Sequence, residues 1–224
     1  MIVLELDRVS QTRGAGPRAV QALRDVSLSI AEGEFVLLEG PSGAGKTTLL
    51  AVAAGLLTPT AGEVRLAGQR LAAMSLAECR RQRATRVGFV FQRSNLLPQL
   101  TLRENVLLMT SISGGSLEEG ERETTRLLVA LGIAGLARRR PRELSGGEEQ
   151  RAAVARALVH RPAVVLADEP TGNLDGRSGK AVAESLAGLA AERGAAVLVA
   201  THDARLEPFA TRRVRIVDGT ITTG

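Results

Sequence analysis

Residues 33–54 read GEFVLLEGPSGAGKTTLLAVAA: an apolar run, then a glycine-rich turn, then a helical stretch closed by Gly55. An apolar run this short, bounded by glycines, suits a strand buried on both faces, which a parallel sheet covered by helices provides. RVGFVFQ (86–92), AVVLADE (163–169) and AAVLVATH (195–202) repeat the pattern. Helical stretches are expected from 45 to about 54 and at 75–84, 101–111, 117–131, 146–159 and 177–192. The order is that of an α/β protein with a helix-rich insertion at about 93–160, and residues 1–224 are expected to form one domain. GEVRLAG (62–68) and the closing TRRVRIVDGTITTG alternate apolar and polar residues, the latter around an Asp-Gly hairpin signal. Both are expected as antiparallel ribbons.

The turn carries chemistry. Gly40-Pro41-Ser42-Gly43-Ala44-Gly45-Lys46-Thr47 fits G-x-x-x-x-G-K-[ST], placed between a strand and a helix. The glycines let backbone N–H groups wrap a β-phosphate, Lys46 places a charge on the β/γ oxygens, and the Thr47 hydroxyl can hold Mg²⁺. The bland alternative is a plain glycine turn; the strand–loop–helix context favours a nucleoside-triphosphate site. Asp168 and Glu169 end another apolar run. In a phosphate-loop protein the first can orient Mg²⁺ and the second can polarise the attacking water. Otherwise they merely cap the turn at Pro170, although adjacent acids there repel and lose solvation. Gly40, Gln92, Asp168-Glu169 and His202 each follow a buried strand. The carboxyl ends of parallel strands share one edge, where ligands bind, so these four groups are expected to meet at one γ-phosphate.

LSGGEEQRAAVARAL (144–158) opens a helix on two glycines. Ser145 and Glu148 form a capping box, and Val154, Ala155, Leu158 and Val159 give a buried face. Neither explains Gly146 and Gly147. Bare backbone at a helix amino end admits an anion. The phosphate loop already supplies one such end. The second serves the same nucleotide if the insertion folds back, or a nucleotide held by another copy, which makes a dimer with two composite sites.

Hydrophobic content of 44% and charged content of 24% suit a globular protein. No apolar run reaches the roughly 18 residues of a membrane span, and the opening MIVLELDRV shows no cationic leader. The lone Cys79 excludes an internal disulfide and suits a reducing compartment. The net charge of +5 and pI near 10.7 invite a nucleic-acid reading. Stacking platforms are scarce, with no Trp or Tyr and four Phe, and the arginine runs at 80–83 and 138–140 read as solvated helix faces.

In this order the motifs resemble the ATP-binding-cassette ATPases over nearly the whole chain. Gly40 to Thr47 match the Walker A motif, Gln92 the Q-loop glutamine, and Leu144-Ser145-Gly146-Gly147-Glu148 the signature. Val164 to Asp168 match Walker B, Glu169 the catalytic glutamate, Asn173-Leu174-Asp175 the D-loop and His202 the switch histidine. VGFVFQRSNLLPQLTLRENV and LADEPTGNLD are similar to the subfamily of MacB, LolD and FtsE, which couples ATP hydrolysis to a separate permease.

The resemblance implies an α/β fold: a P-loop NTPase (RecA-like) core with an antiparallel β subdomain and an inserted α-helical subdomain. It implies ATP and Mg²⁺ as cofactors. It implies a second copy and an integral-membrane permease as partners, no nucleic acid, and a place on the cytoplasmic face of the membrane. Lys46 and the amides of Gly43, Ala44, Gly45, Thr47 and Thr48 would cradle phosphates. Thr47 and Gln92 would ligate Mg²⁺, and Asp168 would hold its water shell. Glu169 would act on the water and His202 on the γ-phosphate, with Ser145 and Gly147 arriving from the other copy. Arg13 stands where an adenine-stacking tyrosine is common; a guanidinium plane can also stack on a base. Glu148 replaces a frequent glutamine but keeps the capping partner. Residues 93–108 would pass motion to the permease, with Leu96, Leu97, Leu100 and Val106 either an apolar groove or core residues. Two rivals are a soluble cassette ATPase acting on nucleic acid or ribosomes, and a phosphate-loop kinase. The first usually carries two cassettes or a long coiled coil, and the second needs no signature helix.

Overall fold

The computed structural model describes residues 1–14, 16, 19–172 and 174–222. Two sheets organise it. β1 (Ile2–Arg13), β2 (Val20–Ala31), β4 (Ala61–Leu66) and β5 (Gln69–Arg70) make an antiparallel sheet ordered β2-β1-β4-β5. The second sheet contains β3 (Phe35–Glu39), β6 (Val87–Val90), β7 (Val164–Asp168), β8 (Ala196–Ala200), β9 (Arg212–Val217) and β10 (Thr220–Thr222). Its order is β10-β9-β3-β8-β7-β6, parallel except for β10 against β9.

The apolar runs have the composition they do because the second sheet is covered on both faces. Along β3, Phe35 and Leu37 enter one core cluster while Val36 and Leu38 enter the other. β7 divides the same way, with Val165 and Ala167 opposite Val164 and Leu166. One face carries α3 (Leu102–Ser113), α4 (Leu117–Ala130), α5 (Gly146–Leu158) and α6 (Gly176–Arg193), whose apolar residues share a cluster with Phe35 and Leu37. The other carries α1 (Lys46–Ala53) and the antiparallel sheet. α2 (Leu76–Arg86) links β5 to β6 and buries no residue. The expected inward residues of α5, Val154, Ala155, Leu158 and Val159, are all in the core.

Two expectations change. The closing segment is only half an antiparallel ribbon: Asp218 and Gly219 turn with φ 46° and 78° and pair β10 antiparallel to β9. β9 itself runs parallel to β3, with Val214 and Ile216 in the core beside α1. β1 and β2 were not anticipated. Their alternation is interrupted: Arg8 and Asp25 adopt φ 47° and 48°, and the pairing slips between Leu6 and Val9. As for the four apolar candidates after Gln92, Val106 is fully buried, Leu96 packs partly against the core, Leu100 is half-buried and Leu97 is exposed.

Candidate functional site

Strands β3, β8, β7 and β6 lie side by side, and the loops at their carboxyl ends build one cleft of about 860 Å³. That volume suits a small-molecule ligand. Ser42, Gly43, Gly45, Lys46, Thr47 and Thr48 line it from the turn after β3, and Gln92 from the loop after β6. Asp168 and Glu169 reach it from β7, His202 from the loop after β8, and Arg13 from the end of β1. Gly40 and Pro41 line an adjoining groove that shares His202, and Ala44 is buried. Ser145, Gly146 and Gly147 lie outside the cleft, the first two exposed. Of the expected D-loop, Asn173 lies outside the described residues. Leu174 is buried and Asp175 caps α6.

The turn is shaped by backbone pressed against it. Gly45 has φ 107°, and a Cβ there would sit 2.5 Å from the Ala22 carbonyl oxygen of β2. A Cβ at Gly40 would sit 2.2 Å from the Ile216 oxygen of β9. The Asp218-Gly219 turn pins the arrangement: Gly219 N donates to Ala44 O at 3.0 Å, and Arg24 N donates to Gly219 O at 2.8 Å.

The charge balance of the turn favours an anion. α2, α3, α4, α5 and α6 open with side-chain caps, whereas α1 opens on Gly45 with none and no acid in its first turn. Lys46 is 8% exposed, and its ammonium donates to the carbonyls of Gly40 at 2.6 Å and Pro41 at 3.0 Å. Among the described residues no carboxylate pairs with it. A buried ammonium without a counter-ion, at an uncapped helix amino end, fits a polyphosphate. Thr47 Oγ1 donates to Asp168 Oδ2 at 2.7 Å. Among the described residues no three His, Cys, Asp or Glu groups form a metal cage. The Thr47–Asp168 oxygens instead fit a hard cation completed by waters and phosphate oxygens, as Mg²⁺ prefers.

At the mouth, Glu169 adopts φ 46°, strained for a non-glycine residue. Its amide donates to Ala200 O at 2.8 Å. Its Oε2 accepts from Thr201 Oγ1 at 3.2 Å, and its Oε1 stands 3.6 Å from His202 Nε2. That nitrogen is also 3.5 Å from Lys46 Nζ. So Lys46, Glu169 and His202 share one corner of the cleft.

The family described as ABC transporter matches residues 23–172. The chain belongs to the ABC transporter family. It is 44% identical to the lipoprotein-releasing system ATP-binding protein LolD 2 of Rhodospirillum rubrum, covering 97% of this chain and 94% of that one. It is 40% identical to LolD of Geobacter metallireducens, covering 98% and 97%. A solved dimeric ATP-binding cassette in a post-hydrolysis state, bound to ADP and Pi, superposes with TM-score 0.92 at 37% identity over 98% of this chain and 97% of that one. A second dimeric structure, of a bacterial ABC transporter cassette, gives 0.92 at 38%, with the same coverage. The chain is thus an ABC ATPase of LolD-like sequence that uses ATP with Mg²⁺, built on a mixed α/β cassette fold.

Sequence motifs did not mark everything that shapes the cassette's cleft. Thr201, beside His202, is a direct partner of Glu169, and Arg205 sits just behind it. Val20, Gln21 and Ala22 form the wall nearest the turn and come from the start of β2, before Asp25 breaks the strand's alternation.

Proposed function

We propose that this cassette drives a separate integral-membrane permease through ATP-dependent pairing of two copies. The amino end of α5 carries the proposal. Neither Gly146 nor Gly147 has a positive φ. A Cβ at Gly146 would meet nothing within 4 Å, and one at Gly147 would meet Leu174 at 3.3 Å and Arg151 at 3.9 Å. The chain's own packing therefore makes no demand for glycine at 146, and the space there is free for a group from outside the chain. The two dimeric cassettes support the same arrangement, as do relatives named as ATP-binding proteins of a lipoprotein-releasing system. No helix among the described residues is long and apolar enough to cross a membrane, so work at a membrane requires a partner that does. The expected place of the cassette is the cytoplasmic face of that membrane.

In this account Lys46 and the amides of 43–48 hold the β- and γ-phosphates. Thr47 and Gln92 would supply oxygens to Mg²⁺, and Asp168 would accept hydrogen bonds from its waters. When bound, Mg²⁺ neutralises charge on the β- and γ-phosphates. Glu169 orients the attacking water and draws its proton, while His202 hydrogen-bonds the γ-phosphate. The Ser145 hydroxyl and the Gly147 amide of the second copy donate to the same phosphate. Arg13 lays its guanidinium on the base. Positioning and preorganised dipoles carry most of the catalysis. ATP then bridges two chains through contacts that ADP lacks, which is the differential affinity a ligand-driven switch requires. Motion leaves through 93–108, where the buried Asn105 amide holds the 97–101 loop by bonds to Leu97, Leu100 and Thr101.

Glu169→Gln with Mg-ATP should elute as a dimer on size exclusion. A variant that binds ATP and stays monomeric contradicts the proposal.

A further inference from the structure

We infer that Arg205 is a positioning residue for hydrolysis: its guanidinium braces the loop that carries His202 against the turn that follows Glu169. The inference rests on the roles proposed above for those two side chains. Nη1 donates to the carbonyls of Asp175 at 2.7 Å and Leu174 at 3.3 Å. Nη2 donates to those of Thr171 at 3.1 Å and Leu174 at 3.3 Å. Nε sits 2.8 Å from each oxygen of the Asp203 carboxylate, and Nη2 reaches Asp203 Oδ2 at 2.6 Å.

These bonds close a ring. Asp203 N donates to Thr201 Oγ1 at 3.0 Å, and that hydroxyl donates to Glu169 Oε2 at 3.2 Å. The turn returns from Glu169 to the carbonyls under Arg205, tightened by Gly172 N donating to Glu169 O at 3.3 Å and Leu174 N to Thr171 O at 3.0 Å. His202 lies between two members of the ring, Thr201 and Asp203. Fixing both neighbours fixes the direction in which the imidazole leaves the backbone. The Arg205 bond holds the Asp203 carboxyl down at about 2.

A second feature was shaped for the same guanidinium. A Cβ at Gly179, in α6, would lie 2.2 Å from Arg205 Nη1 and 2.4 Å from its Cζ. That glycine is the seat of the brace. A lysine ammonium is a point charge and cannot span the carboxylate and three carbonyls that a planar fork meets at once.

The test compares Arg205→Ala, Arg205→Lys, Gly179→Ala and the double variant Gly179→Ala/Arg205→Ala by steady-state ATPase assay, ATP affinity and thermal unfolding. Each single variant should lower kcat about tenfold or more while KM and ATP affinity move less than about threefold. Gly179→Ala should add nothing in the Arg205→Ala background, since the group it displaces is gone. Unchanged kcat in folded Arg205→Ala overturns the inference. So does a loss of kcat matched by an equal loss of folded protein, or a strictly additive double variant. Glu169→Gln, assayed alongside, separates the two levels. If it is inactive while Arg205→Ala is normal, only the brace fails; if it hydrolyses at the parent rate, the roles assigned to the cleft fail instead.

Discussion

Lys46 faces carbonyls and an imidazole, and among the described residues no carboxylate lies within ion-pair distance of it, a costly arrangement for a buried ammonium until an anion arrives. Two results follow for Lys46→Met. Turnover should fall by roughly a hundredfold or more, as it does when a preorganised donor to a transition-state oxygen is lost. The nucleotide-free variant should melt no lower than the parent, because the cost of the unpaired charge goes with it. A variant that melts well below the parent without ATP would show that Lys46 stabilises the empty fold. Thr201→Val should lower kcat too, since one hydroxyl both donates to Glu169 and accepts from Asp203. The motif residues were legible because the sequence places them within one turn or at one strand end. Thr201 and Arg205 were not, since their partners Glu169 and Thr171 lie 32 and 34 residues away and no local pattern marks the pairing.

Glu123 shows how the elements are locked together. It sits on α4, only 3% exposed, and reaches Arg126 on the same helix, Arg161 before β7 and Arg193 at the end of α6. Burial pushes its carboxyl up, but hydrogen bonds from Arg126 and Arg193 prevail, and the pKa falls from 4.5 to about 2. The stabilisation is therefore complete above about pH 4.5 and is lost as pH falls through about 2. Glu123→Gln should cost about 2 kcal/mol at neutral pH, after discounting for the partly exposed arginines, and should flatten the stability curve over that acid window. Denaturant unfolding at several pH values checks both; an unchanged slope shows that the latch carries no weight. α5 makes a comparable link at the other side of the insertion. Gln150 donates to Phe91 O at 3.1 Å, and Ser94 donates to Glu149 at 2.6 Å, so the signature helix grips the segment around Gln92. Helices and buried strands were legible because their periods and caps are local, and the boundaries of α1 to α6 fall within two residues of expectation. β1 and β2 were obscured by bulges, and β9 by an alternation that suits either kind of edge partner.

For the whole molecule, the cleft gathers the expected in-chain groups apart from Gly40, Pro41 and Ala44 of the turn and those at the amino end of α5, where Ser145 and Gly146 stand exposed with room beside Gly146. A site completed in trans predicts that ATPase turnover per chain rises with protein concentration, along with the dimer fraction measured by sedimentation at the same concentrations. Constant turnover across a range where the chain stays monomeric contradicts it. The most direct measurement is a crystal structure of Glu169→Gln grown with Mg-ATP. In a site completed in trans, Ser145 Oγ and Gly147 N of one copy should lie about 3 Å from the γ-phosphate held by Lys46 of the other. Nucleotide filling the cleft with Ser145 remote from every phosphate, in every packing arrangement, would contradict it.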